Sequence, residues 1–345
     1  MKFKPLQKYF FFLIVAIASC RDSTTIRRPD VSKINVEIHV ERFDLELSKM
    51  KPKDIAKQTN LLREKYGSFY DNYVSDMLQI GDARDTVVIF QNLNQILNQK
   101  DFIDLNRAVG KVYPSMNKYN KELAQAFKYV KYYFPNYEIP RFIAYVSGFA
   151  YQTPIGEDYV GIGLDMFLGA DSEFYPALVQ SIPLYISRRF TPENITPRVV
   201  EAVLREELYP LPDNINNTLQ HMIYNGKILY AMDLLLEDVS DELKIGYSKE
   251  QFMWANKFES DIWSWFLQEN LLYDTDLNRI QKYFTEAPFT PELGEKNESS
   301  PKLGSYIGWM LVRKYMSRSP NLTLKDLLEN NDAQQILEES KYKGK

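Results

Sequence analysis

The sequence predicts an α+β fold that is mostly helical with a small β-sheet. Three observations carry that expectation. Most apolar patterns repeat at helical spacing, while strand signals are confined to short segments such as INVEIHVERFD, PRFIAYVSGFA and DYVGIGLDMFLG. No internal repeat or low-complexity tract interrupts them. With 45% hydrophobic residues and a formal charge of -4, the chain can bury a core and keep a soluble surface.

The chain opens with Lys2, Lys4 and Lys8, followed by the uncharged run YFFFLIVAIAS. About eleven residues behind a basic start match a signal-peptide core, and fall short of the roughly twenty that span a membrane. The run ends in Ile17-Ala18-Ser19-Cys20, the outline of a bacterial lipobox. Small residues at 18 and 19 admit a signal peptidase before Cys20, whose thiol then takes lipid. Cys20 is the only cysteine, so no internal disulfide framework exists. Residues 1–19 are therefore expected to be a lipoprotein signal peptide, and acylated Cys20 to hold the mature protein at a membrane without crossing it. Residues 20–33 are short, polar and poor in apolar side chains, which predicts a tether. Residues 34–345 then form a single globular domain.

Within that domain, INVEIHVERFD alternates Ile34, Val36, Ile38 and Val40 with polar neighbours, the mark of a half-buried strand with His39 toward solvent. LAQAFKYVKYYF sets Leu123, Phe127, Val130 and Phe134 on one helical face, and Pro135 ends it. PRFIAYVSGFA and DYVGIGLDMFLG read as two strands joined by the turn-rich YQTPIGED. Gly161-Ile162-Gly163 lacks the third glycine of a dinucleotide loop and predicts no cofactor. ITPRVVEAVLREELYP reads as a helix capped by Thr196, with Pro197 first inside and Val199, Val200, Val203, Leu204 and Leu208 at helical spacing. Glu201 and Arg205 are spaced as a surface pair, and Glu207 falls amid Val200, Val203 and Leu204 on a wheel. NTLQHMIYNGKILYAMDLLL is a second long helix with Gly226 inside. KEQFMWANKFESDIWSWFLQ puts Trp254, Phe258, Ile262 and Trp265 on one core-facing stripe. SPKLGSYIGWMLVRKYM carries Gly304 and Gly308 four apart, spacing that suits close helix packing.

The composition also excludes functions. No basic stripe with interleaved aromatics argues for nucleic acid. No Gly-x-Ser-x-Gly elbow is present, and the lone cysteine is spoken for by lipid.

The phrases MIYNGKILYAMDLLL, IGYSKEQFMWA, DIWSWFLQENLLYDTD and SPKLGSYIGWMLVRKYM, with AFKYVKYYFP and VGIGLDMFLG, together resemble the GldB family of Bacteroidetes gliding-motility lipoproteins. The resemblance covers nearly the whole chain after Cys20. It implies a lipid-anchored cell-envelope protein with a periplasmic body, whose partners are envelope proteins of the gliding and secretion machinery.

That family is in turn similar to predicted zinc-dependent proteases, which implies a zincin-like scaffold. In those proteins a strand like YVGIGLDMFL precedes a His-Glu-x-x-His helix, and a later helix carries Glu-Gly. Histidines one turn apart aim two imidazoles at one zinc, and the glutamate deprotonates its water. Carried over by resemblance, Arg205 replaces the first histidine, Glu206 keeps the base and Tyr209 replaces the second histidine. Asn225, before Gly226, replaces the third ligand. Arg205 is permanently cationic and cannot ligate, and the chain holds only 2 histidines, His39 and His221. The expectation is a pseudoenzyme with no metal and no cofactor, in which this segment is an ordinary scaffold helix; reuse of the remnant groove to hold a peptide or partner stays open. Two other readings stay open: a zinc peptidase with unusual ligands, and a glycan-binding envelope lipoprotein suggested by 24 Tyr and 20 Phe.

Overall fold

A computed structural model describes residues 28–293 and 297–345; the signal peptide and Cys20 lie outside the described residues. The chain is mostly helical with one three-stranded parallel sheet, so the α+β expectation holds at that level. Strands β1 (Val40–Arg42), β2 (Arg141–Tyr145) and β3 (Tyr159–Gly163) lie in the order β1-β2-β3, with Val40 beside Phe142 and Phe142 beside Val160.

The first strand is shorter than its pattern. Ile34, Val36 and Ile38 are half-buried against the core and their neighbours are exposed, but pairing begins only at Val40. Alternation reports burial, which packing alone satisfies; it does not supply a ladder partner. Within residues 28–33, assigned above to a tether, Arg28 donates to the Asp233 carbonyl at 2.6 and 3.1 Å and Val31 is buried. This end of the segment is packed on the body.

The second and third strands run parallel, so the chain must return between them. Residues 146–158 do so along the outer edge of β3, where Gly161 and Gly163 donate to the carbonyls of Pro154 and Gln152 at 2.8 and 2.9 Å. A side chain on Gly163 would lie 2.3 Å from the Tyr151 carbonyl, so glycine here serves close approach.

Both sheet faces are covered, as a parallel sheet requires. Ile143, Tyr145 and Tyr159 meet an aromatic cluster of Phe43, Tyr66, Phe69 and Tyr73. Phe142, Ala144, Val160 and Ile162 face the larger, helical core. Four helices of that core frame the site below: α1 (Asn117–Tyr133), α2 (Ile195–Val203), α3 (Thr218–Leu235) and α4 (Leu303–Arg318). Helices α3 and α4 touch backbone to backbone. A Cβ on Gly226 would lie 2.2 Å from the Gly308 carbonyl oxygen, and one on Gly308 would lie 1.9 Å from that of Met222. Gly304 instead faces Phe284 and the Tyr283 carbonyl.

Buried Asp233 ties α3 to α4, accepting from Trp309 Nε1 at 2.8 Å and from Arg313 at 2.7 Å. The tryptophan-rich segment differs from the expected single stripe. It breaks at Phe258 into Lys249–Lys257 and Glu259–Gln268, so Ile262 and Trp263 are buried while Trp254 and Trp265 are half-buried.

Candidate functional site

Helix α2 begins differently from its sequence signals. A 3₁₀ turn, Pro192–Asn194, leads into Ile195, so Pro197 is the third helical residue. Thr196 does not cap: its hydroxyl donates to Glu122 on α1 at 2.7 Å. The helix packs against β3 and ends in a π-helical turn, Leu204–Leu208, closed by the Tyr209 amide donating to the Leu204 carbonyl at 2.7 Å. One extra residue in a turn rotates every later side chain off the wheel. Glu207 therefore emerges exposed, accepting from the Tyr137 hydroxyl, instead of lying amid the valines.

The pair of Glu201 and Arg205 forms, but not on the surface. Glu201 accepts from Arg205 Nε at 2.9 Å and, on its other oxygen, from Arg198. The Glu201 side chain is 20% exposed and that of Arg198 8%. Burial alone would raise the Glu201 carboxyl, yet the guanidiniums of Arg198 and Arg205 outweigh it and bring the value down to about 2. Arg205 also donates to Asn225 Oδ1 at 3.1 Å, and Asn225 Nδ2 donates to the His221 carbonyl at 2.9 Å. The Asn225 amide is thus engaged on both ends.

The four positions named by resemblance do not all share one place. Arg205, Glu206 and Asn225 line a cavity of about 400 Å³. Exposed Glu206 stands at its mouth. Tyr209 lies elsewhere, its ring stacked on Tyr224 with centroids 5.6 Å apart and its hydroxyl accepting from Lys227 at 3.0 Å. The π turn is the reason: it carries Tyr209 past the face that Arg205 occupies. His39 is exposed before β1, and His221 is half-buried on α3.

The rest of the cavity has residues the sequence reading missed. Arg189 donates to Glu286 at 2.7 Å, and Lys302, at the start of α4, pairs with the same carboxylate. Burial pulls the Lys302 ammonium down to about 8. Burial opposes ionisation of Glu286 as well, but Lys302 and Arg189 hold it below the usual range. Arg198 was legible, since it stands one turn before Glu201. Arg189, Glu286 and Lys302 sit in or beside loops, where no periodicity marks a buried charge.

This donor set does not fit a divalent metal. A guanidinium stands where the resemblance puts the first histidine, and the half-buried carboxylates Glu201 and Glu286 are each paired with cations. Among the described residues, no three His, Cys, Asp or Glu gather as a ligand group. The cavity is lined by four cations, Arg189, Arg198, Arg205 and Lys302, and three carboxylates, Glu201, Glu206 and Glu286.

Comparison with curated proteins yields no match, and comparison with solved structures yields none. A family model described as "Gliding motility protein GldB" matches residues 24–344, which span both sheet faces and every residue of the cavity. The chain therefore belongs to the GldB family of gliding-motility proteins.

Proposed function

We propose that the protein is a non-catalytic, lipid-anchored component of the cell envelope that supports gliding and associated protein secretion by contacting partner proteins. Family membership supports the tie to gliding motility. One observation carries the non-catalytic part: the Arg205 guanidinium is pinned between Glu201 and Asn225, where a metal ligand would have to stand. No helix among the described residues is long and apolar enough to cross a membrane. The anchor in this reading is acylated Cys20, with the body in the periplasm.

Deleting the gene in a gliding host is expected to impair spreading and surface-protein delivery; a deletion strain that spreads and secretes normally would sink the role. Purified protein is expected to lack stoichiometric zinc, and Glu206→Gln to leave function in cells intact. One equivalent of tightly bound zinc, or loss of function in folded Glu206→Gln, would overturn the pseudoenzyme reading; bound zinc together with peptide hydrolysis would favour a zinc peptidase with unusual ligands.

A separate observation favours glycan binding as a second activity of this envelope protein. Tyr133, Phe134, Tyr137 and Tyr209 line a groove of about 650 Å³. Half-exposed aromatic faces suit sugar rings, and Tyr137→Ala would then abolish retention of cell-wall oligosaccharides. Equal retention by the variant removes this reading.

A further inference from the structure

The cavity beside Arg205 carries more positive charge than its carboxylates balance. Arg198 of α2, Arg205 of its π turn, Arg189 and Lys302 all line it. Its carboxylates are half-buried Glu201 and Glu286 and exposed Glu206, so the half-buried pair leaves two cations over. Arg188, next in sequence to Arg189 but not lining the cavity, pairs with no acid among the described residues; one of its nitrogens donates to Gln251 at 2.9 Å. Two others of its nitrogens are buried without a partner. Glu206 lies at the mouth, exposed, where water screens its charge.

Unspent hydrogen-bonding capacity accompanies this charge. Nε of Arg189 and Nε of Arg198 are buried donors without acceptors, beside one buried acceptor without a donor, Glu286 Oε2; the other Arg198 nitrogens donate to Glu201 and to the Leu243 and Lys244 carbonyls. Buried donors of this kind are rare unless something absent from the chain satisfies them. Lys302 is also held with φ at +53°, a backbone region that non-glycine residues seldom adopt. Its ammonium reaches the Ile245 carbonyl and Glu286, so the strained backbone delivers a cation into the site.

We propose that this cavity binds a small phosphoryl-bearing ligand, whose dianionic group supplies the missing counter-charge between Arg189, Arg198 and Lys302. A single carboxylate offers one charge and two oxygens. A phosphoryl group offers nearly two charges and three acceptor oxygens, which matches an excess of two cations. Guanidinium is the cation best shaped for such groups. About 400 Å³ leaves room for an organic moiety attached to the phosphate. The ligand is held and no bond in it breaks, so the proposal rests on the non-catalytic reading of this cavity. Binding is read in purified protein and the envelope role in cells, so each can fail alone.

The test is calorimetric titration of the full chain in detergent with inorganic phosphate, at ionic strength matched by chloride. Glycerol 3-phosphate, titrated in parallel, represents a lipid headgroup; whichever binds more tightly identifies the source. Arg189→Gln is expected to weaken binding by about tenfold or more, the loss of one charge-assisted contact. Glu286→Gln removes a competing anion and is expected to tighten binding several-fold. General damage to the fold would move both variants the same way. If Arg189→Gln does not fold, Lys302→Gln carries the same expectation. No preference of either phosphate over chloride, or weaker binding in folded Glu286→Gln, overturns the proposal.

Discussion

Glu201 holds two guanidiniums at once, so its removal strands buried Arg198 and half-buried Arg205. Glu201→Gln is expected to cost about 3–5 kcal/mol in urea unfolding, the range for breaking a buried ion pair from one side. The wild type should also lose stability in acid. Its folded carboxyl titrates at about 2, below the usual 4.5, so the stabilisation is complete above about pH 4.5 and lost as pH falls toward 2. Unfolding free energies measured from pH 6 to 2 should show a shallower decline in the variant; equal slopes would refute the assignment. Lys227 behaves oppositely. Its ammonium meets carbonyls of Leu328 and Asn330 and the Tyr209 hydroxyl, and burial pulls it down to about 8. The unfolded chain keeps that proton up to about 10.5, so from pH 8 upward unfolding takes up protons and stability rises with pH. Lys302, also lowered to about 8, acts in the same direction. Lys227→Met should flatten the rise measured between pH 8 and 10.

At the scale of elements, the contact of α3 with α4 depends on two glycines whose missing side chains let backbones touch. Gly308→Ala drives a methyl into the Met222 carbonyl and is expected to cost about 3 kcal/mol or prevent folding. Gly110, in the helix Lys100–Val112, has open space where its Cβ would be. Gly110→Ala should therefore stabilise by about 0.5–1 kcal/mol through helix propensity alone. Urea midpoints of the two variants should move in opposite directions, and a shared direction would show that the backbone contact is not the cause. The π turn of α2 is the other decisive element. It keeps Arg205 on the cavity and turns Tyr209 toward Lys227.

For the whole molecule, the question is how the body meets a membrane. Arg28 is bonded to α3 through the Asp233 carbonyl, and only residues 21–27 separate it from Cys20. Even fully extended, that stretch reaches on the order of 25–30 Å. A lipid on Cys20 would hold the domain close to the bilayer. Cys20→Ala is expected to leave an unprocessed precursor that incorporates no labelled fatty acid; unchanged labelling would end the lipoprotein reading.

Apolar periodicity by itself determined the helical character of the chain and much of its core. Leu123, Phe127 and Val130 are buried as their spacing requires, because an amphipathic helix has only one stable way to face its neighbours. The alternation at residues 34–40 likewise foretold which side chains turn inward, though not where pairing starts. Tertiary structure decided what periodicity cannot carry. Whether β2 and β3 run parallel depends on the return path of residues 146–158, and the phase of side chains after Leu204 depends on one extra residue in a turn. The cavity was hidden most deeply. Arg189, Glu286 and Lys302 are far apart in sequence, and a charge becomes buried only when distant parts of the chain bring its counter-ion to it.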